Sequence, residues 1–302
     1  MRLQLECQGS MLSELLKAIR SCCSQEFVFI TLQDDIMVIQ DDCINPNSWV
    51  EIDVKTQQFF KSYTIKSKNL KNRIVLKVIH CSLVEALQGI ISLPGSKAII
   101  KLASQDGNIY LEFKCEVPEQ NEIFSFEYQV AVNIDNSIDN IIPEIPNSLE
   151  CELNCVQHMQ QMIFPTAEDS NLLQLCLTVE ECHNCRAKDR RDLDYVFSCS
   201  HNRKNFKLPE LGKLTIKSRE TTPVQLISAY YNLILQQGQC SLYNIKTLVK
   251  AKELSTILQK TYSLNWNKVM LGIQHESEII ATASWKECLS VRFIISAQLD
   301  NI

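Results

Sequence analysis

Glycine is scarce in this chain, with 7 among 302 residues. None of the seven builds a phosphate-binding loop: GxGxxG, GxxxxGK[ST] and GxSxG are all missing. Those gaps remove the commonest signatures of nucleotide and hydrolase chemistry. Long apolar runs are missing as well, none approaching the roughly 18–20 residues that span a bilayer. The first stretch, MRLQLECQGSMLSELLKAIRSCCS, lacks the unbroken apolar centre and cleavage site of a secretory signal. A soluble intracellular protein with no membrane contact is the expectation. Histidine is sparse and isolated, at His80, His158, His183, His201 and His275. Acidic pairs fall at turns (Asp34-Asp35, Asp41-Asp42, Glu180-Glu181), where Asp serves the backbone. No local signature supports a Cys–His nucleophilic pair. These residues argue against an enzyme and call for no cofactor.

What is present is the mixture of a globular protein, 45% apolar and 22% charged, long enough for two domains. The net charge of −5 argues against nucleic-acid binding over the whole surface but leaves room for a local basic stripe. Cysteine is plentiful, at 14. Many fall on apolar faces (Cys7, Cys22, Cys115, Cys176) and read as reduced, small buried hydrophobes. One group has a second reading. Cys182-His-Asn-Cys185, with Cys199 and His201 further on, supplies four residues of the types that hold tetrahedral zinc. The alternatives are a polar hairpin that happens to carry thiols, or a redox pair, though no thioredoxin-like βαβ pattern lies nearby.

Periodicity gives the elements. Residues 2–8 alternate as a strand, and Ser10 is placed to cap a helix with Leu12, Leu15, Leu16, Ile19 and Cys22/Cys23 as its apolar stripe. FVFITL (27–32), IMVIQ (36–40), WVEIDV (49–54), QQFFKSYTI and RIVLKVI read as strands, with a basic loop at Lys66, Lys68 and Lys71. From Ser82 a helix puts Leu83, Leu87, Ile90 and Ile91 on one face, and Pro94-Gly95 ends it. KAIIKLA and NIYLEFKCEV follow, joined by Gln105-Asp106-Gly107-Asn108, a tight hairpin signal. IFSFEYQVAVNI (123–134) is a long strand. Residues 135–147, with Pro143 and Pro146, read as a connector between domains 1–134 and 148–302.

Beyond it the grammar restarts. SLECELN is a strand and VQHMQQMIF a short helix. LLQLCLTV (172–179), DYVFSCS (194–200) and KLTIKS (213–218) are strands. PVQLISAYYNLILQQG (223–238), with Pro first and Gly last, reads as an extra helix within an insertion at about 219–243. KELSTILQKTY is a helix aligning Leu254, Ile257, Leu258 and Tyr262, and three strands close the chain. Helices thus begin near residues 10, 81, 154 and 250, the mark of a four-fold structural repeat without residue-level identity.

Two domains, each of two β-α-β-β-β units, resemble the α+β sliding-clamp fold. Trp49-Val-Glu51-Ile with Phe59-Phe60-Lys-Ser-Tyr63 is similar to the Hus-type subunit of the heterotrimeric checkpoint clamp, the nine-one-one complex. So are Leu83-x-x-Ala86-Leu87, Lys97-x-Ile-Ile-Lys101-Leu102, Pro143-Glu-Ile-Pro146-Asn147 and the closing Val291-Arg-Phe-Ile294-Ile-Ser-Ala297. The stretch 180–212 is longer and more charged than that family's hairpin.

The resemblance implies sheets outside and short helices lining a central hole. It implies a non-catalytic DNA-damage checkpoint subunit that joins two other clamp-like chains around double-stranded DNA. A clamp loader would open the ring, and checkpoint and repair proteins would dock on it in the nucleus, or also in the cytoplasm. The DNA-facing cations would be Lys17, Arg20, Lys66, Lys68, Lys71, Lys250, Lys252 and Lys260, a thin lining, because the second helix offers Glu85 and the third His158. Subunit-joining strands would be 123–131 (Phe124, Phe126, Tyr128, Val130) and 213–218 (Leu214, Ile216). The alternatives are a homotrimeric replicative clamp, or a zinc-binding interaction module with no ring.

Overall fold

The structure is a computed structural model. It describes all residues except 42–47, 69–71, 94–96, 120–121, 136–148, 154–155, 157–158, 160–171, 180–209, 219–225, 235–243, 267, 274–277 and 298–302. The connector at 135–147 beyond Asp135, the strand expected at 194–200 and most of the third helix lie outside the described residues. Of that helix, Val156 and Met159 are described, both helical and buried. The chain divides into two compact units, Met1–Ile142 with Ala283–Arg292, and Pro143–Thr282 with Phe293–Ile302.

The first unit begins β1 (Arg2–Gln8), α1 (Gly9–Cys22), β2 (Phe27–Leu32), β3 (Ile36–Asp41), β4 (Ser48–Lys55). A one-turn α2 (Thr56–Phe59) and β5 (Ser62–Lys66) follow, so QQFF is a helical turn rather than strand. Then come β6 (Ile74–Ile79), α3 (His80–Ile91), β7 (Lys97–Gln105), β8 (Asn108–Glu119) and β9 (Glu122–Ile134). Among the described residues, the pairings of its two sheets are antiparallel. One sheet runs β5–β1–β7–β8–β9. The other runs β4–β3–β2–β6–β9, joined through Val132–Ile134 at the end of β9. Alternation fixes which side chains turn inward. Leu3 and Leu5, Ile30, Ile39, Ile100 and Phe113 meet α1 and α3 around one apolar cavity of about 40 Å³. The Asp106-Gly107 hairpin is as the sequence signals, with φ of 52° and 83° and Gln105 opposite Asn108.

The helices follow their strands without a loop. Residue Gln8 stays extended as the α1 N-cap and provides no side-chain cap, so Ser10 lies inside the helix instead of capping it. At α3 the His80 N–H donates to the Glu26 carbonyl (2.9 Å), satisfying one donor that a cap would otherwise take. The α1 stripe of Leu12, Leu15, Leu16, Ile19 and Cys22 is buried as its spacing dictates. In α3 the buried face is Leu83, Ala86, Leu87 and Ile90, while Ile91 is half-buried.

In the second unit β10 (Leu149–Glu152), β11 (Leu172–Val179), β12 (Glu210–Ser218), β13 (Leu226–Ile234) and β14 (Asn244–Lys250) precede α4 (Ala251–Leu264) and β15 (Lys268–Ile273). Strands β16 (Glu278–Trp285) and β17 (Leu289–Ser296) complete the chain, their shared turn belonging to the first unit. Pairing runs β14–β11–β12–β13–β10–β15. Residues 226–234 are therefore strand, not the helix their Pro and Gly flanks suggest. In α4, Leu254, Ile257, Leu258, Thr261 and Leu264 are buried and Tyr262 turns out of the stripe, 46% exposed.

The two pairing schemes correspond. Strand β1 lies between β5 and β7, and β10 between β13 and β15. Strand β2 lies between β3 and β6, and β11 between β12 and β14. The single strand β13 takes the places that β4 and β5 fill separately in the first unit.

Candidate nucleic-acid face and subunit edges

A surface that tracks a duplex needs cations free to meet phosphate. With the apolar stripe of α1 turned inward, Lys17 is half-buried and Arg20 exposed. Arg20 occupies the last turn, where a cation complements the carbonyl end of the helix. On α4, Lys252 is exposed and Lys260 half-buried. Lys250 immediately precedes the helix, with its Nζ 3.9 Å from Glu253. Burial pushes the Glu253 carboxyl up, and Lys250 opposes that shift. Helix α3 presents Glu85 and no cation.

The basic loop belongs to a different surface. Ile65 points into the core, so Lys66 projects from the solvent side of β5, opposite Arg2 on β1. Lys68 is exposed just beyond, and Lys71 lies outside the described residues. Elsewhere on this sheet face the charges compensate across strands. Lys101 stands opposite Glu112, and Lys114 opposite Glu127. Glu6 receives Lys97 (2.9 Å) and Lys61 (3.4 Å), and the Lys97 hydrogen bond leads in holding its carboxyl below the ordinary range. Arg2 and Lys66 depart from that pattern as like charges in register, which costs a few tenths of a kcal/mol unless an anion joins them. Sequence reading overlooked Arg2 because only pairing register brings it to the loop.

The two subunit-edge expectations fare differently. Over Glu122–Ala131 strand β9 takes its described pairing from β8. Along one face Val130 is 3% exposed, Tyr128 half-buried, Phe126 38% and Phe124 44% exposed. Tyr128 lies under α3 at Gly89, so the apolar row emerges where the helix ceases to cover it. Val130 is thus a core residue, while Phe124 and Phe126 are accessible. The expectation for 213–218 requires correction. Strand β12 pairs with β11 on one side and β13 on the other, so it has no free edge. Its Leu214 and Ile216 are 1% and 3% exposed and serve the core. Among the described residues, the strand with a less occupied edge is β13, which meets β12 along its length and β10 at Leu233 and Ile234. Cys182, Cys185, Cys199 and His201 lie outside the described residues.

No family model matches this chain, and no curated protein matches it in sequence. Solved structures do. The proliferating cellular nuclear antigen of Entamoeba histolytica is similar over 98% of this chain and 99% of its own, with a TM-score of 0.59 at 12% identity. A. fulgidus PCNA, solved with the C-terminal region of FEN-1 bound, matches over 99% and 100% with the same score and identity. PCNA of Thermococcus kodakaraensis matches at 0.58 and 11% over 98% and 100%. The fold is that of the sliding clamps, present along nearly the whole chain.

Proposed function

We propose that this chain is a non-catalytic subunit of a ring-shaped DNA clamp, and in particular a nuclear DNA-damage checkpoint subunit assembled with two different clamp-like chains. The observation that carries the reading is the sliding-clamp fold over nearly the full length of both this chain and the clamps it resembles. Edge pairing would close the ring, with β9 offering backbone groups and the exposed Phe124 and Phe126. Edge β13 replaces 213–218 as the second joining strand. Enclosure retains such a ring on DNA, so individual phosphate contacts stay weak and salt-sensitive.

The cations of α1 and α4 are the proposed duplex contacts, and partner subunits supply the remaining positive potential that this −5 chain lacks. The motif resemblance to the Hus-type subunit favours the heterotrimer over a homotrimer. A loader would open the ring, and repair proteins would dock on it as the FEN-1 segment does on A. fulgidus PCNA.

Native mass determination of the assembly purified from nuclear extract tests the reading. Two other clamp-sized chains at equal stoichiometry support the heterotrimer. Three copies of this chain replace it with a homotrimer, and a zinc-bound monomer overturns the ring. If the ring forms, R20E should lower its retention on closed circular DNA several-fold without dissociating it.

A further inference from the structure

Two segments of the first unit, far apart in sequence, meet through buried charge. On β4, Trp49, Glu51 and Asp53 alternate onto one face. Arg292 of β17 reaches that face. Its Nη2 contacts the Glu51 carboxylate and lies 2.7 Å from Asp53 Oδ2. The Glu51 side chain is 2% exposed, Asp53 13% and Arg292 21%. Gln40, opposite Glu51 on β3, donates from Nε2 to the other Glu51 oxygen (3.1 Å). Nearby, the Lys55 N–H donates to the Cys288 carbonyl at 2.9 Å.

The hairpin turn carrying Cys288 holds Lys286 and Glu287 at φ of 48° and 58°, a conformation that residues with side chains adopt only when contacts hold them there. One guanidinium thus serves two carboxylates in a poorly hydrated site, leaving an excess negative charge when both are ionised. Asp53 Oδ1 and Arg292 Nε are buried without a hydrogen-bond partner.

We propose that Glu51, Asp53 and Arg292 form a proton-dependent clasp that fastens the Ala283–Arg292 hairpin to β4. With one proton on the acidic pair the site is neutral and the hairpin is held. Loss of that proton leaves two carboxylates competing for one guanidinium, and the hairpin opens more often.

Burial pushes Asp53 up to about 7, with Glu51 adding to the rise and Arg292 opposing it. Among the described residues no other charged group enters that balance. Val38, its register partner on β3, is neutral, α2 carries no charge, and Glu14, Lys17 and Arg20 of α1 make no contribution. A carboxyl raised above its ordinary 3.8 holds its proton in the closed form. Its stabilisation is therefore full below the ordinary value and is lost as pH rises through about 7. Between pH 6 and pH 8 the opening equilibrium should rise about tenfold.

Hydrogen exchange of the full chain, corrected for intrinsic rates, measures this at the Lys55 amide and across Ala283–Arg292. Wild type should lose about tenfold in protection from pH 6 to pH 8. Asp53→Asn, neutral at both values, should keep the hairpin protected and abolish the dependence. Arg292→Gln should exchange rapidly at both pH values. Equal wild-type protection at pH 6 and pH 8, or an undiminished dependence in Asp53→Asn, overturns the proposal. The Asp53→Asn result decides the matter even if Arg292→Gln does not fold. None of these outcomes depends on ring formation.

Discussion

Gly89 and Tyr128 give the sharpest test of how the first unit is packed. Gly89 lies in α3, two residues before its end. A Cβ added there would fall 2.4 Å from Tyr128 Cζ, 2.5 Å from its Oη and 2.8 Å from its Cε1. Ordinary contact begins near 3.4 Å, so the ring must retreat by about 1 Å. Two opposing effects set the result. Replacing Gly by Ala in a helix stabilises by about 1 kcal/mol. Overpacking against a half-buried ring costs about 2 kcal/mol. Gly89→Ala should therefore destabilise the first unit by about 1 kcal/mol. In a Tyr128→Ala background the overlap vanishes, and the same substitution should stabilise by up to about 1 kcal/mol. The coupling, near 2 kcal/mol, is read from a double-mutant cycle by urea denaturation. A coupling below about 0.5 kcal/mol, or destabilisation of equal size in both backgrounds, would refute the placement of Tyr128 beneath α3.

Two further substitutions probe the chain around α1 and the last hairpin. Asp41, 7% exposed, accepts from the Ser24 N–H (3.0 Å), the Gln25 N–H (3.1 Å) and the Ser24 hydroxyl (3.3 Å). Asp41→Ala strands those donors where α1 leads into β2, and should cost about 2 kcal/mol in denaturant unfolding, whereas Asp41→Asn should recover part of the loss. Replacing Lys286-Glu287 with Asn-Gly supplies residues suited to two successive left-handed conformations, and should raise stability by about 1 kcal/mol in the same assay.

Most strands of the first unit were legible because each has one buried face and alternates accordingly. Leu3, Leu5 and Cys7 are buried while Arg2 and Gln8 are exposed. The error at 226–234 has a physical origin. LISAYYNLI is apolar at consecutive positions, and a short run of that kind carries neither the strand period nor the helix period. Pro223 and Gly238 then tipped the reading to helix. Periodicity also cannot assign neighbours to β12, and pairing with β13 fills the edge that the resemblance implied for 213–218. Alternation in WVEIDV cannot report that an arginine 241 residues beyond Glu51 covers Glu51 and Asp53. Register also decides the side to which the loop cations belong. Lys66 sits opposite Arg2 on a sheet face, away from the helix positions with which its charge had grouped it.

The same pairing logic bears on why β9 calls for a partner. An edge strand offers a row of unpaired backbone groups, and proteins blunt such edges with charge, proline or a covering element. Strand β9 has Glu127 along this stretch, which discourages indiscriminate stacking. It also exposes Ile123 at 70%, with Phe124 and Phe126 beside it, beyond the cover of α3. Exposed apolar residues beside a charged one on an edge favour a specific neighbour over solvent. On the ring reading, that neighbour contributes a strand and an apolar surface of its own, and the charge excludes strands that cannot match it. The edge would then explain both how the subunit assembles and why it should tolerate isolation poorly.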